Sequence, residues 1–193
     1  MALKDQVWAF RSRIGRLYAL FAAPRGGVCA EIGVWQGGFS RRIVQLRKPR
    51  ELHLIDPWQF VPSLPERMYG GSVARSQSDM DGIMAAVVDR FAGNAAVKVH
   101  RCTSIDAAKN FSDSYFDWVY VDGDHSYGAV LADLNAWFPK VKHGGKIVLD
   151  DYIWQDEIRE FSVKAAADDF IAANPGHKTR LVQGQFLIKK AVG

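Results

Sequence analysis

The stretch Val28-Cys29-Ala30-Glu31-Ile32-Gly33-Val34-Trp35-Gln36-Gly37-Gly38-Phe39-Ser40 decides the fold. Its first part is short and apolar, its middle is rich in glycine, and helical spacing continues from about Gly38 to Arg47. That is the pattern of a buried strand feeding a tight turn that opens a helix. A dinucleotide would bring its pyrophosphate close at the second glycine of a G-x-G-x-x-G turn, and here Trp35 stands in that place. Glu31, two residues before Gly33, would repel a pyrophosphate but attract an α-ammonium group. The turn from Gly33 to Gly37 therefore suits a ligand that carries an amino acid.

The next strand, Glu51 to Asp56, stops at Pro57, which cannot donate to a sheet ladder. Asp56 follows the glycine turn by about 20 residues, the position from which a carboxylate accepts hydrogen bonds from a ribose. Trp58 just beyond it offers a face for a purine or a core packing residue. Ser104, after a third strand predicted at 95–100, offers an adenine contact or a helix N-cap.

Upstream, Leu3, Val7, Phe10, Ile14, Leu17 and Phe21 recur at spacings of four and three, which predicts an amphipathic helix over 3–22 whose stripe packs on the domain or on a second copy. Downstream, residues 57–80 hold prolines, glycines and serines without periodicity and read as a substrate lid. Helices are predicted at 81–92, 126–138 and 156–173, and strands at 116–121 and 143–150. Two last strands at 179–183 and 185–190, split by Gly184, would form an antiparallel hairpin. The alternation implies an α/β, Rossmann-like, doubly wound and mostly parallel sheet in one domain over 1–193, with helices on both faces and ligands at the strand C-terminal ends.

Two of those strand ends carry carboxylates. The 116–121 strand delivers Asp122, with Asp124 and His125 beyond, and the 143–150 strand delivers Asp150 and Asp151. On adjacent strands, about 5 Å apart, Asp122, Asp150 and Asp151 would concentrate negative charge that a proton or cation must neutralise. All-oxygen ligands suit Mg²⁺. His125 is the candidate general base, with a helix cap or a metal-supporting role as its alternative. Asp150 or Asp151 could instead serve the following turn, and Asp124 could cap the helix that starts near Ser126.

At 193 residues, 48% of them apolar and 24% charged, the chain has ordinary globular composition. No signal-like leader or spanning apolar run is evident, so a cytoplasmic address without a membrane is expected. Cys29 and Cys102 read as reduced, buried thiols. The net charge of +4 is weak support for nucleic acid, because no reading module accompanies it and the densest run, Arg41 to Arg50, suits a solvated face.

Together these motifs resemble the class I S-adenosylmethionine-dependent methyltransferases: Glu31-x-Gly33-x-x-x-Gly37, Asp56, Val121-Asp-Gly-Asp-His125, and Gly144-Gly-x-x-x-x-Asp150-Asp151. The resemblance spans about residues 25–190 and is nearest to the branch with macrolide-sugar O-methyltransferases and cephalosporin-hydroxylase-type proteins. It implies a seven-stranded sheet, S-adenosylmethionine bound by Glu31, Gly33, Gly37, Asp56, Trp58 and Ser104, and Mg²⁺ on Asp122, Asp150 and Asp151. The expected activity is O-methylation of a small hydroxylated metabolite such as a sugar, through in-line attack on the sulfonium methyl. Metal-independent N- or O-methylation and an inactive donor-binding partner are the alternatives; a nicotinamide oxidoreductase is disfavoured by Trp35 and Glu31.

Overall fold

The central strands are apolar runs closed by glycine, proline or an acidic residue, and the outer ones alternate; the seven are β1 (Val28–Ile32), β2 (Glu51–Asp56), β3 (Val97–Arg101), β4 (Phe116–Val121), β5 (Val141–Leu149), β6 (Lys178–Val182) and β7 (Gln185–Lys189). Between and before them run α1 (Leu3–Ala22), α2 (Gly38–Arg47), α3 (Gln77–Arg90), α4 (Ser104–Ala108), α5 (Tyr127–Trp137) and α6 (Ser162–Ala173). This computed structural model describes residues 3–62, 73–153 and 162–192, with side chains from Arg13 onward. Residues 63–72 of the expected lid and residues 156–161 of the expected sixth helix lie outside the described residues.

The strands form one sheet in the order β3-β2-β1-β4-β5-β7-β6, parallel from β3 to β5 and antiparallel where β7 joins β5 and β6. Gln183 (φ 49°) and Gly184 (φ 87°) make the two-residue turn between β6 and β7, the left-handed pair that matches strand twist. Chain order reverses direction between β1 and β4, the switch point at which an open α/β sheet leaves a crevice.

One face of the sheet packs Val130, Leu134 and Trp137 of α5 and Val163, Ala166 and Phe170 of α6 against Val119, Val121 and Ile147. The other packs Ala19 and Leu20 of α1, Ile43 of α2 and Met80 and Val87 of α3 against Leu52, Leu54, Trp118 and Tyr120. A register shift between Phe116 and Trp118 puts Phe116 on the face of Val119 rather than that of Trp118.

Several boundaries and one packing face differ from the sequence reading. Helix α3 begins at Gln77 rather than 81, because Ser76 accepts from the Asp79 N–H while its hydroxyl donates to the Asp79 carboxylate, a reciprocal N-terminal cap inside the expected loop. Strand β5 begins at Val141, two residues before the predicted start, carried through its Gly144-Gly145 pair by the bulge. Of the α1 stripe, the described members Ile14, Leu17 and Phe21 are exposed and do not pack on the domain, whereas Ala19, Leu20 and Ala23 are buried. The helix docks through small residues because Gly15 meets the hairpin turn so closely that a Cβ there would lie 2.5 Å from the Gln183 carbonyl.

Candidate functional site

The site is assembled from strand ends that clip to one another. Gly33 N donates to Ile55 O at 2.9 Å, Asp122 N to Ile32 O at 2.8 Å and Asp150 N to Val121 O at 2.9 Å, which ties the ends of β1, β2, β4 and β5 into one rim. Gly33 (φ 83°) has its first reason for being glycine here: a Cβ would lie 1.9 Å from the Asp122 carbonyl oxygen. The turn beyond it holds Trp35 at φ 52°, and Gly37 at φ 69° is the N-cap of α2. Left-handed Trp35, Trp58 (φ 41°) and Asp151 (φ 54°) gather at this rim, each costing about 1–2 kcal/mol, as happens where surrounding structure fixes a functional conformation.

Asp56 is what fixes it. Its buried carboxylate accepts Val34 N and Trp35 N on Oδ2, both at 2.9 Å, and Trp58 N on Oδ1 at 2.8 Å. Trp58 is fully buried, and its indole N–H donates to the Trp35 carbonyl at 3.0 Å, so its ring belongs to the core under the turn. Glu31 lies beside the turn, 2% exposed, with Oε2 buried and lacking a hydrogen-bond partner among the described residues. Burial pushes its carboxyl up to about 8 and nearby Asp56 adds to the shift, against the Ser40 hydroxyl and the Arg16 guanidinium. A buried acceptor without a donor is costly unless a ligand supplies one, and an ammonium group would both satisfy and ionise it.

Ser104 opens α4, but Thr103 is its N-cap, accepting Asp106 N. The Ser104 hydroxyl donates to the Asp133 carboxylate and accepts the Trp137 indole N–H at 2.8 Å. Likewise Ser126, not Asp124, is the N-cap of α5, while Asp124 accepts Ser126 N at 2.8 Å.

The carboxylates at the ends of β4 and β5 divide into two groups. Asp122, His125 and Asp151 bring one ligand atom each within 4.8 Å of one another, with His125 Nε2 3.4 Å from Asp151 Oδ2 and 3.8 Å from Asp122 Oδ1. That set of two carboxylates and an imidazole, partly exposed, has the chemistry to hold a divalent cation. Asp150 is turned away from it and buried: Oδ1 accepts Gln185 Nε2 and Asp151 N, and Oδ2 accepts Arg16 Nε at 2.8 Å and Nη2 at 2.6 Å. The same Arg16 Nη2 reaches Asp122 Oδ2 at 3.0 Å. Burial and then Asp150 hold the Asp122 carboxyl well above the usual carboxylate range, against Arg16. Arg16 and Gln185 were not anticipated from sequence; their partners lie 134 and 35 residues away, so no local spacing marks them.

Residues 30–152, more than half of the chain, match the family model of a methyltransferase domain. An uncharacterized protein of Acanthamoeba polyphaga mimivirus is 28% identical over 141 residues; the match covers 72% of this chain, which spans 58% of that relative's length. The O-methyltransferase NovP superposes with a TM-score of 0.63 at 20% identity, covering 94% of this chain and 79% of that one. The 1,6-didemethyltoxoflavin-N1-methyltransferase of Burkholderia thailandensis, solved with 1,6-didemethyltoxoflavin and S-adenosylhomocysteine, gives a TM-score of 0.59 at 15% identity, covering 97% and 82%. With strand ends, glycine turn and sheet order as described, the chain belongs to the methyltransferase-domain family.

Proposed function

We propose that this chain transfers a methyl group from S-adenosylmethionine to a hydroxyl oxygen of a small acceptor such as a sugar, with Mg²⁺ or a similar divalent cation on Asp122 and Asp151. The observation that carries the reading is the buried Glu31 Oε2 on β1, without a hydrogen-bond partner among the described residues, across the switch point from the Asp122–His125–Asp151 group. The donor's ammonium group is assigned to Glu31, its amino-acid portion to the turn from Gly33 to Gly37, and its ribose to Asp56. The Asp56 carboxylate, held beside the turn by the backbone N–H groups of Val34, Trp35 and Trp58, stands at the end of β2 where the ribose would lie. Trp58 and Ser104 support that pocket from behind, one under the turn and one through Asp133.

Bound there, S-adenosylmethionine supplies a methyl group for in-line displacement, and a divalent cation lowers the pKa of the acceptor hydroxyl. His125 is assigned the acceptor proton, and Asp151 beside it orients the imidazole. Arg16 and Gln185 keep Asp150 satisfied, so that Asp122 and Asp151 are the carboxylates left facing the crevice. The O-methyltransferase NovP, similar in fold, is in keeping with an oxygen acceptor.

Arg16 also favours a second reading, metal-independent methylation, because its guanidinium already places positive charge on Asp122. Methyl transfer from labelled donor to a panel of glycosides and catechols, with and without EDTA, separates the two. Loss of turnover with EDTA and recovery with Mg²⁺ supports the first; undiminished turnover after rigorous metal removal rejects it.

A further inference from the structure

Beyond the outer side of α1, on the same face of the sheet, β5, β7 and β6 carry a row of cations. The strand registers set Lys146 opposite Lys189 and Lys189 opposite Lys178, so three ammonium groups cross three neighbouring strands on one face. Arg180, two residues along β6 from Lys178, points to that face as well. With Tyr18 and Phe21 of α1 they line a cavity of about 390 Å³, and no described carboxylate is among its lining. Arg180 lies over the Tyr18 ring, 5.3 Å from its centroid, while Phe21 is 62% exposed.

Like charges directly opposite in a sheet are destabilising. Lysine on an edge strand deters edge-to-edge pairing, which would explain Lys178 on β6. It does not explain Lys146 and Lys189, because β5 and β7 have neighbours on both sides. Lys146 is partly buried, donates to the Ala22 carbonyl at 2.7 Å, and is held below the ordinary lysine range by burial, then by Lys189 and Arg47. Four cations thus converge on one concavity at a cost to the folded state, and the missing charge is anionic.

We propose that this cavity binds a small phosphorylated ligand with two or more negative charges: phosphoryl oxygens between Lys146, Lys189 and Lys178, a forked contact from Arg180, and an attached ring against Phe21. Its volume is that of a small-molecule site rather than of a polymer groove. Arginine's planar fork suits phosphoryl oxygens, and the lysines supply point charges around it.

Calorimetry with inorganic tripolyphosphate and with ATP tests this, at low salt (about 50 mM) with EDTA and saturating S-adenosylhomocysteine. Tripolyphosphate is expected to bind the wild-type chain with one-to-one stoichiometry, and Lys178→Gln/Lys189→Gln to weaken it by at least about tenfold. Phe21→Ala is expected to weaken ATP but not tripolyphosphate. Without ligand, Lys189→Gln should melt roughly 1–3 °C higher, because a repulsion has been removed. The proposal is overturned if the wild-type chain ignores tripolyphosphate, if the double variant binds it equally well, or if a single-stranded oligonucleotide binds about tenfold more tightly than tripolyphosphate. S-adenosylhomocysteine binding by the double variant should be unchanged, which keeps this test separate from that of the donor pocket.

Discussion

Glu31 makes the sharpest single-residue prediction. Its carboxyl is protonated up to about pH 8 in the empty pocket, and an ammonium ligand demands the ionised form. Binding of S-adenosylhomocysteine should therefore release a proton and strengthen as pH rises from about 6 to about 8. Glu31→Gln should bind at least about tenfold more weakly and lose that slope; calorimetry in buffers of different ionisation heat checks both. Arg16 makes the second. Its guanidinium and a divalent cation compete for Asp122, so Arg16→Gln should raise Mn²⁺ affinity by about tenfold in a paramagnetic binding titration. Unchanged affinity would mean that Arg16 and the cation do not share that carboxylate. Because Asp150 would lose its buried partner, Arg16→Lys, which keeps the charge without the fork, serves as the folded control.

The turn between β1 and α2 stands on Asp56, whose three backbone N–H partners make it a structural clamp before it is a ligand group. Asp56→Asn should lower the unfolding free energy of the unliganded chain by about 2–3 kcal/mol in urea, since buried N–H groups lose their charged acceptor. A residue that only touched ribose would leave unliganded stability unchanged. Much of this part was legible in sequence: β1, its glycine turn, Asp56, and Asp122 at the end of β4 are each marked by a local pattern of apolar run and punctuation. What was not legible was non-local. Periodicity identified an apolar stripe on α1 but not its partner, and Gly15 against the hairpin turn reversed the face that docks. The grouping of Asp122 with His125 and Asp151, apart from Asp150, depends on Arg16 and Gln185 arriving from the two ends of the chain. The cap of α3 at Ser76 was readable, and the serine-rich composition around it concealed it.

Across the whole molecule, buried titratable groups shape stability in opposite directions. His53, stacked on His100 and hydrogen-bonded to it at 3.0 Å, is pushed by burial down to about 4. Unfolding lets it take up a proton below its ordinary 6.5, so its contribution to stability grows as pH rises from about 4 to 6.5. Glu31 does the reverse: protonated when folded and ionised when unfolded, it loses its contribution steadily from its ordinary 4.5 up to about pH 8, about 2 kcal/mol of it between about pH 6.5 and 8. The two slopes oppose each other between about pH 4.5 and 6.5, so the unliganded chain should hold level there and decline from about pH 6.5 to 8 by thermal melting; Glu31→Gln should abolish that decline and uncover the rise due to His53 below pH 6.5. A wild-type melting temperature that stays level up to pH 8 would show that Glu31 is already ionised in the folded chain. The donor pocket itself is tested by titrating the purified chain with S-adenosylhomocysteine beside Glu31→Gln. The structure predicts saturable one-to-one binding that raises the melting temperature of the wild type and is largely lost in the variant. Equal binding by both, or none by the wild type, would contradict it.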